Sequence, residues 1–186
     1  MEKILDTRLK LVSPTSENES EAKEYLKEHF DIGEDVIHGI NEFHVIKEYD
    51  EWLKKINYEK EGKNLAEDIA QSVVYFAYNK LSNQLVGTIH IRYELVNKRM
   101  IDRIGHIGIG IRPSERAKGY GKELMLLAIE ECRKIGLEKA LVVCNKLNQA
   151  SSNTIKSCGG ILENEITIVN EENEIENVLR YWIDIV

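Results

Sequence analysis

Between Ile111 and Met125 the sequence reads IRPSERAKGYGKELM, which sets Arg116, Gly119 and Gly121 in the spacing R-x-x-G-x-G at the head of an amphipathic run. Those residue types in that order suit an anion. Glycines let main chain approach a ligand closely, and the first N–H groups of a helix lack acceptors of their own. The helix dipole and the cations Arg116, Lys118 and Lys122 favour a pyrophosphate at such a turn. Two common phosphate loops are excluded: the dinucleotide fingerprint needs glycine where Leu124 stands, and a P-loop needs glycine at Arg116 and a hydroxyl at Glu123. Taken alone, the stretch also reads as an ordinary strand-to-helix connection with a solvated charge cluster.

A second group lies just upstream. In RIGHIGIGIR, Ile107, Ile109 and Ile111 alternate with Gly108 and Gly110. The glycines bare one strand face at roughly 0.5–1 kcal/mol each against alanine. Pairing this segment with LVGTIHIRYEL across VNKRMID, with Leu95 opposite Arg103, sets Arg92 opposite His106, His90 opposite Gly108 and Glu94 opposite Ile104. All then share the glycine face, whereas Ile89, Ile91, Tyr93, Ile107, Ile109 and Ile111 share the other. A one-residue slip reverses the faces. Ionisable groups beside bare glycines point to a site, although each histidine alone also reads as a hydrogen-bonded structural residue and the glycines as clearance for a closely packed helix.

The elements that must position these groups follow from periodicity. TRLKLVSPT is a short strand stopped by Pro14, and Ser16 with Glu19 has capping-box spacing before the helix EAKEYLKEHF. From Val36 to about Lys60 an interrupted helical pattern buries Ile40, Phe43, Ile46, Trp52, Leu53 and Ile56. SVVYFAYN and LVGTIHIRYEL form a hairpin about KLSNQ, and RIGHIGIGIR is a further strand. A helix runs from Gly119 to Ile135 and stops at Gly136. LEKALVVCN is a buried strand, SSNTIKSC a short helix, and ILENEITIV with NVLRYWIDIV a closing hairpin. The expected class is α+β, helices flanking one mixed sheet, in a single domain over 1–186, with 1–70 shaping an acceptor site and 71–186 forming the core and C-terminal hairpin.

The bulk numbers bound the function. The 186 residues carry a net charge of −7 with 42% hydrophobic and 31% charged residues, the composition of an ordinary globular protein. The acidic balance argues against a non-specific nucleic-acid binder and is compatible with a cationic small substrate. No apolar run approaches the ~20 residues of a membrane span, and MEKILDTRLKLVSP lacks the apolar core of a signal peptide, so a cytoplasmic protein is expected. Cys132, Cys144 and Cys158 stand at wide spacings without metal-ligand partners, so no metal is expected.

Strand, Pro113, RAKGYG, helix, strand and then NQASSNTIKSCGG from Asn148 together resemble the GNAT superfamily of acetyl-CoA-dependent N-acetyltransferases, from about Val73 to the end. GHIGIGIRPSERAKGYGKE, GGILENE and RYWI look like a group of bacterial predicted acetyltransferases. The resemblance implies a GNAT-like fold with the sheet splayed at a bulge in the Gly108 strand. Pantetheine would lie in the splay against Ile109, Gly110 and Ile111, and Arg116, Ala117, Lys118, Gly119, Tyr120, Gly121 and Lys122 would hold the pyrophosphate. Asn148 and Ser151 would touch the cofactor from the next helix. A bare strand also suits this thin, amide-bearing arm. The family tyrosine expected seven residues after Asn148 is replaced by Ile155, which removes the usual general acid.

Acetyl transfer to a primary amine needs a neutral nucleophile, whereas an alkylammonium has a pKa near roughly 10.4. His106 is the expected base, directly or through water, with Glu94 as fallback; both are read as catalytic. Glu42, Tyr49 and Trp52 are expected to line or cover the acceptor pocket. The expected activity is direct attack in a ternary complex on a small-molecule or peptide amine, in a possible homodimer. The alternative is a catalytically silent acetyl-CoA sensor.

Overall fold

In the computed structural model the described residues are 7–46, 48–169 and 173–185; Lys47, the tip of the closing hairpin and both chain ends fall outside them. Strand-forming alternation pairs β2 (Ser72–Asn79) with β3 (Leu85–Arg92), and β1 (Leu9–Val12) and β4 (Ile107–Ile111) extend that hairpin into an antiparallel sheet of order β1-β2-β3-β4. The register is the expected one. His90 lies opposite Gly108, Ile89 opposite Ile109, and the Arg92 N–H donates to the His106 carbonyl at 2.8 Å.

Period-2 alternation then sorts two cores. On one face Val73, Ala77, Ile89, Ile91 and Ile107 pack with Leu124, Met125 and Ala128 of α4 (Tyr120–Lys134) and Ile155 of α5 (Gln149–Ser157). On the other, Val74, Phe76, Tyr78 and Leu85 meet α1 (Glu19–Asp31), α2 (Phe43–Ile46) and α3 (Tyr49–Glu61). Phe43, Tyr49, Trp52 and Phe76 form a ring cluster at the centre of this second core, with centroids 4.9–5.9 Å apart. The capping box falls one residue earlier than expected, at Thr15, and it caps a short turn rather than α1, whose own N-cap is Asn18. Asn18 Oδ1 accepts the Thr15 N–H at 2.9 Å, because a turn of 3₁₀-helix, Ser16–Asn18, precedes the helix.

The single mixed sheet expected from the sequence is instead two antiparallel sheets. β5 (Lys139–Asn145), β7 (Ile175–Asp184) and β6 (Ile161–Val169) form the second, in the order β5-β7-β6. The sheets meet at an isolated bridge between Gly105 and Val142. The His106 N–H donates to the Leu141 carbonyl at 2.7 Å, and the Leu141 N–H donates back to His106 Nδ1 at 3.0 Å. A Cβ on Gly105 would stand 2.5 Å from the Leu141 carbonyl oxygen, and its φ of +73° is one that L-residues avoid. Beyond this point β4 and β5 are unpaired.

A buried chain of hydrogen bonds ties the first sheet to α3. Arg92 Nη2 donates to His90 Nδ1 at 2.9 Å, His90 Nε2 reaches Ser72 Oγ at 2.9 Å, and Ser72 donates to Glu59 Oε2 at 2.8 Å. Guanidinium only donates, so His90 Nδ1 accepts and Nε2 carries the proton. Burial, then Arg92, holds the His90 pKa well below its usual value, and burial brings Arg92 down to about 10. Glu59 also takes Asn41 Nδ2 at 2.6 Å and Lys55 Nζ. That fixes Asn41 and Glu42, two non-glycine residues at φ +45° and +65°.

The glycine face of β4 is filled by the protein itself. A Cβ on Gly110 would stand 2.4 Å from the His38 carbonyl oxygen and 2.7 Å from Tyr25 Oη, whereas one on Gly108 would meet Gly39 N at an ordinary 3.5 Å. The bare face suits a thin ligand in the sequence; in the structure close packing of the segment after α1 accounts for Gly110, while Gly108 has room for a methyl group. Gly110→Ala is expected to lose about 1–3 kcal/mol in urea unfolding through overpacking, and Gly108→Ala to be within about 0.5 kcal/mol of wild type. Equal losses would show that His38 does not press on Gly110.

Candidate active site

Hydrogen-bond alternation along β4 decides what its backbone offers. The main-chain groups of Gly108 and Gly110 point to β3, so those of Ile107, Ile109 and Ile111 point away from it, toward the gap before β5. Burial falls along β4, from the fully covered Ile107 to half-buried Ile109 and Ile111. A row of main-chain groups therefore lines a cleft that opens from the Gly105 bridge. The gap lies where the resemblance implies a splay, along the edge of β4, whereas the bare glycines point to a face of the strand.

At the open end of β4 a short helical turn, Pro113–Glu115, delivers the chain to the cationic turn. Ala117 (φ +59°) and Gly119 (φ +85°) both adopt the left-handed conformation, and Gly119 is the N-terminal cap of α4. Among the described residues no turn, cap or side-chain acceptor takes the N–H groups of Ala117 to Lys122. The outer side of the turn is clamped. Arg8 Nη2 donates to the Lys118 carbonyl at 2.8 Å, Arg8 Nε to Glu123 Oε1 at 2.6 Å, and the guanidinium carbon lies 4.2 Å from the Tyr120 ring centroid. Gly121 serves differently from Gly119: its Cβ would meet only Thr154 Oγ1 at 3.5 Å.

Two of the three cations of this turn are paired with carboxylates. Arg116 forks onto Glu34 with Nη1–Oε1 2.6 Å and Nη2–Oε2 2.7 Å, while its Nε donates to the Ile111 carbonyl at 3.2 Å. Hydrogen bonds from Arg116 hold the Glu34 pKa at about 2. Lys118 pairs with Glu115 at 3.0 Å. Lys122 has no carboxylate partner among the described residues.

The two expected catalytic residues do not come together. Glu94 is exposed beyond the end of β3 and lines a depression with Gly62, Asn64 and Gln71. His106 is buried at the sheet junction, where Nδ1 accepts from Leu141, so the neutral ring carries its proton on Nε2. Burial and then Arg92 lower its pKa to about 4. Protonating Nδ1 breaks the bond from Leu141, so near neutral pH the ring stays neutral and committed to the junction. His106 is a joint between sheets, and the sequence reading missed this because the Leu141 partner lies 35 residues away.

A scan of family descriptions matches residues 37–159, more than half of the chain, to the acetyltransferase (GNAT) family. The chain belongs to the GNAT family. A search of curated proteins gives no match. Among solved structures, this GNAT protein is similar to a proposed ribosomal-protein-serine acetyltransferase from Vibrio cholerae (TM-score 0.68, 16% identity, 97% of this chain and 96% of that one). It is also similar to an acetyltransferase-like protein from Salmonella typhimurium solved with acetyl-CoA (TM-score 0.67, 14% identity, 97% and 95%). Dodecameric spermidine N-acetyltransferase from Vibrio cholerae is a third (TM-score 0.65, 16% identity, 95% and 94%). These identities speak for the fold.

Family membership gives the turn its expected ligand, and the residues present fit it. Acetyl-CoA, the acetyl donor of GNAT enzymes, carries a pyrophosphate suited to the uncovered N–H groups of the Gly119 turn, and an amide-bearing arm suited to the β4 edge. Asn148 caps α5, its Oδ1 accepting the Ser151 N–H at 3.0 Å. Ile155, at the position of the family tyrosine, is fully buried in the core, so no side chain there reaches the cleft. Among the described residues no group of His, Cys, Asp or Glu is arranged to hold a metal, and no helix is long and apolar enough to cross a membrane.

The His106 junction carries a pH signature. Its folded pKa lies below the usual 6.5, so the unfolded state binds more protons between pH 6.5 and about 4, and stability falls as pH drops through that window, by at most about 1.4 kcal/mol per pH unit. His106→Gln can still accept from Leu141 without titrating. Its urea-unfolding stability should fall less steeply than wild type between pH 6.5 and 4, and parallel curves would count against a buried neutral His106.

Proposed function

We propose that this GNAT protein transfers the acetyl group of acetyl-CoA to a primary amine by direct attack in a ternary complex, in the cytoplasm. The observation that supports it most is the Gly119 turn: left-handed backbone at Ala117 and Gly119, uncovered N–H groups from Ala117 to Lys122, and an outer wall fixed by Arg8. Bound acetyl-CoA supplies a thioester carbonyl and a thiol leaving group. Main-chain groups of Ile109 and Ile111 align its amide-bearing arm, and an N–H of the β4 edge stabilises charge developing on the carbonyl oxygen.

The acceptor approaches from the side of α1 to α3, across the segment that covers Gly108 and Gly110. Its proton passes to His38 rather than His106. The His38 main chain packs on Gly110, the residue is exposed, and desolvation followed by His44 lowers its pKa, so a neutral imidazole is present at neutral pH. Small amines fit the acidic net charge, and spermidine is the acceptor named for one structural neighbour. The homodimer reading is supported by the edge of β6, where Ile161 and Val169 are about two-thirds exposed, 67% and 64%.

Burial of Ile155 favours a second reading, a silent acetyl-CoA sensor, because the thiolate then leaves without the family's tyrosine acid. Release of free thiol from acetyl-CoA with a panel of amines separates the readings: transfer predicts time-dependent release, and binding without release leaves the sensor. Gly119→Ala places an L-residue at φ +85°, at about 1–2 kcal/mol, or relaxes the turn and misaligns its amides. Calorimetry should show acetyl-CoA binding weakened about tenfold or more. Wild-type affinity in that variant would remove the pyrophosphate from this turn.

A further inference from the structure

Two arginine–glutamate pairs join the C-terminal half of α1 and the loop just after it to the segment leading into the Gly119 turn, and they are built differently. Arg112 Nε meets Glu28 Oε2 at 2.5 Å, Glu28 Oε1 accepts the Ser114 N–H at 2.5 Å, and Arg112 Nη1 reaches the Leu85 carbonyl. Burial pushes the Glu28 carboxyl up, but the bonds from Ser114 and Arg112 overcome it and leave its pKa at about 2. That pair is enclosed, with side-chain exposures of 13% and 25%. The Arg116–Glu34 pair is open to solvent at 41% and 36%, and Arg116 immediately precedes the first left-handed residue of the turn.

Glu34 has a second holder. His29, almost fully buried at the end of α1, contacts Glu34 Oε2 through Nδ1 at 2.7 Å, and the Glu34 N–H donates to the His29 carbonyl at 3.1 Å. A carboxylate only accepts, so Nδ1 carries the proton that faces Glu34, and among the described residues Nε2 has no partner. The carboxylate therefore keeps a hydrogen bond if Arg116 leaves it. Four residues further on, the His38 carbonyl accepts from Thr88 Oγ1 at 3.3 Å and presses on Gly110. One carboxylate thus links the cation beside the cofactor turn to the segment that covers the acceptor face.

We propose that Glu34 is a competitor for Arg116: the pyrophosphate of CoA takes the guanidinium from Glu34, which falls back on His29, and the segment from Glu34 to Asn41 loosens over Gly110 so that the acceptor enters after the cofactor. This rests on the acetyl-CoA reading above and adds an order of binding to it. Arg116 is the exchangeable partner because its pair is solvated, while Arg112 is fixed by three acceptors and donors of the main chain and Glu28. A guanidinium accepts either anion in the same forked geometry, so the exchange needs no large rearrangement.

The test measures CoA binding by calorimetry and amide exchange over 34–41, in wild type, Glu34→Gln and Glu28→Gln. Removing the charge at Glu34 should tighten CoA binding about two- to fivefold, the worth of an exposed ion pair. Exchange over 34–41 should rise when CoA is added to wild type and should already be raised in unliganded Glu34→Gln. Glu28→Gln should lower stability without tightening CoA binding. If wild type gives no heat with CoA, the cofactor reading falls and the exchange of partners with it. If wild type binds but Glu34→Gln binds no tighter, if Glu28→Gln gains as much affinity, or if 34–41 keeps its protection when CoA binds, the competition alone is overturned.

Discussion

The molecule depends on how its two sheets are joined. Four strands and three strands each satisfy their own backbone, and the connection between them is confined to Gly105 against Val142 and the reciprocal bonds of His106 and Leu141. A full ladder between β4 and β5 would consume the main-chain groups of Ile107, Ile109 and Ile111. A junction limited to one end leaves those groups, apart from the Ile111 carbonyl that Arg116 Nε takes, uncommitted along a cleft, and unsatisfied backbone that is only partly covered is a strong attractor for a ligand with amides of its own. Gly105 permits the close contact and His106 locks it from the side-chain direction. The imidazole is thereby removed from proton chemistry and assigned to architecture.

Around that cleft the two helical layers do different work. α4 presents its N-terminus and is held from outside by Arg8, a residue that sequence order places more than a hundred positions away. The helices on the opposite layer enclose an aromatic core and, through the Glu59, Ser72, His90 and Arg92 chain, fix a loop that carries two strained residues, Asn41 and Glu42. Such strain persists only where surrounding contacts over-determine it, and here four side chains and Trp52 Nε1 on the Ile40 carbonyl do so. The loop is therefore fixed firmly at Asn41, while Glu34 is held by a more solvated pair.

Much of this was legible in the sequence, and the failures have a common cause. Strand positions, the β3–β4 register and the Gly119 turn follow from local alternation and from glycine's conformational freedom, both properties of neighbouring residues. Cap positions slipped by a residue at Thr15 because Asn18 competes with Glu19 for the same role. The glycine face was legible as bare, and close packing was one reading of it, but the occupant was not, since His38 with Gly39 precedes it by seventy residues. The tie of His106 to Leu141, the pairing of Arg116 with Glu34 and the clamp of Arg8 on Glu123 were not legible for the same reason: each is defined by a distant partner. The replacement of the family tyrosine by Ile155 was visible at once, and its burial in the core shows that the position serves packing.

The strand order β5-β7-β6 places the final strand of the chain at the centre of its sheet. During synthesis β5 and β6 therefore emerge without their pairing partner, each exposing two rows of unsatisfied main-chain groups until Ile175–Asp184 has left the ribosome. Val142, half of the junction with the first sheet, rests on Tyr181 of that late strand. The second sheet cannot be completed vectorially as the polypeptide is made; β5 and β6 wait for β7, and a nascent chain stalled before it carries two strands open to mispairing.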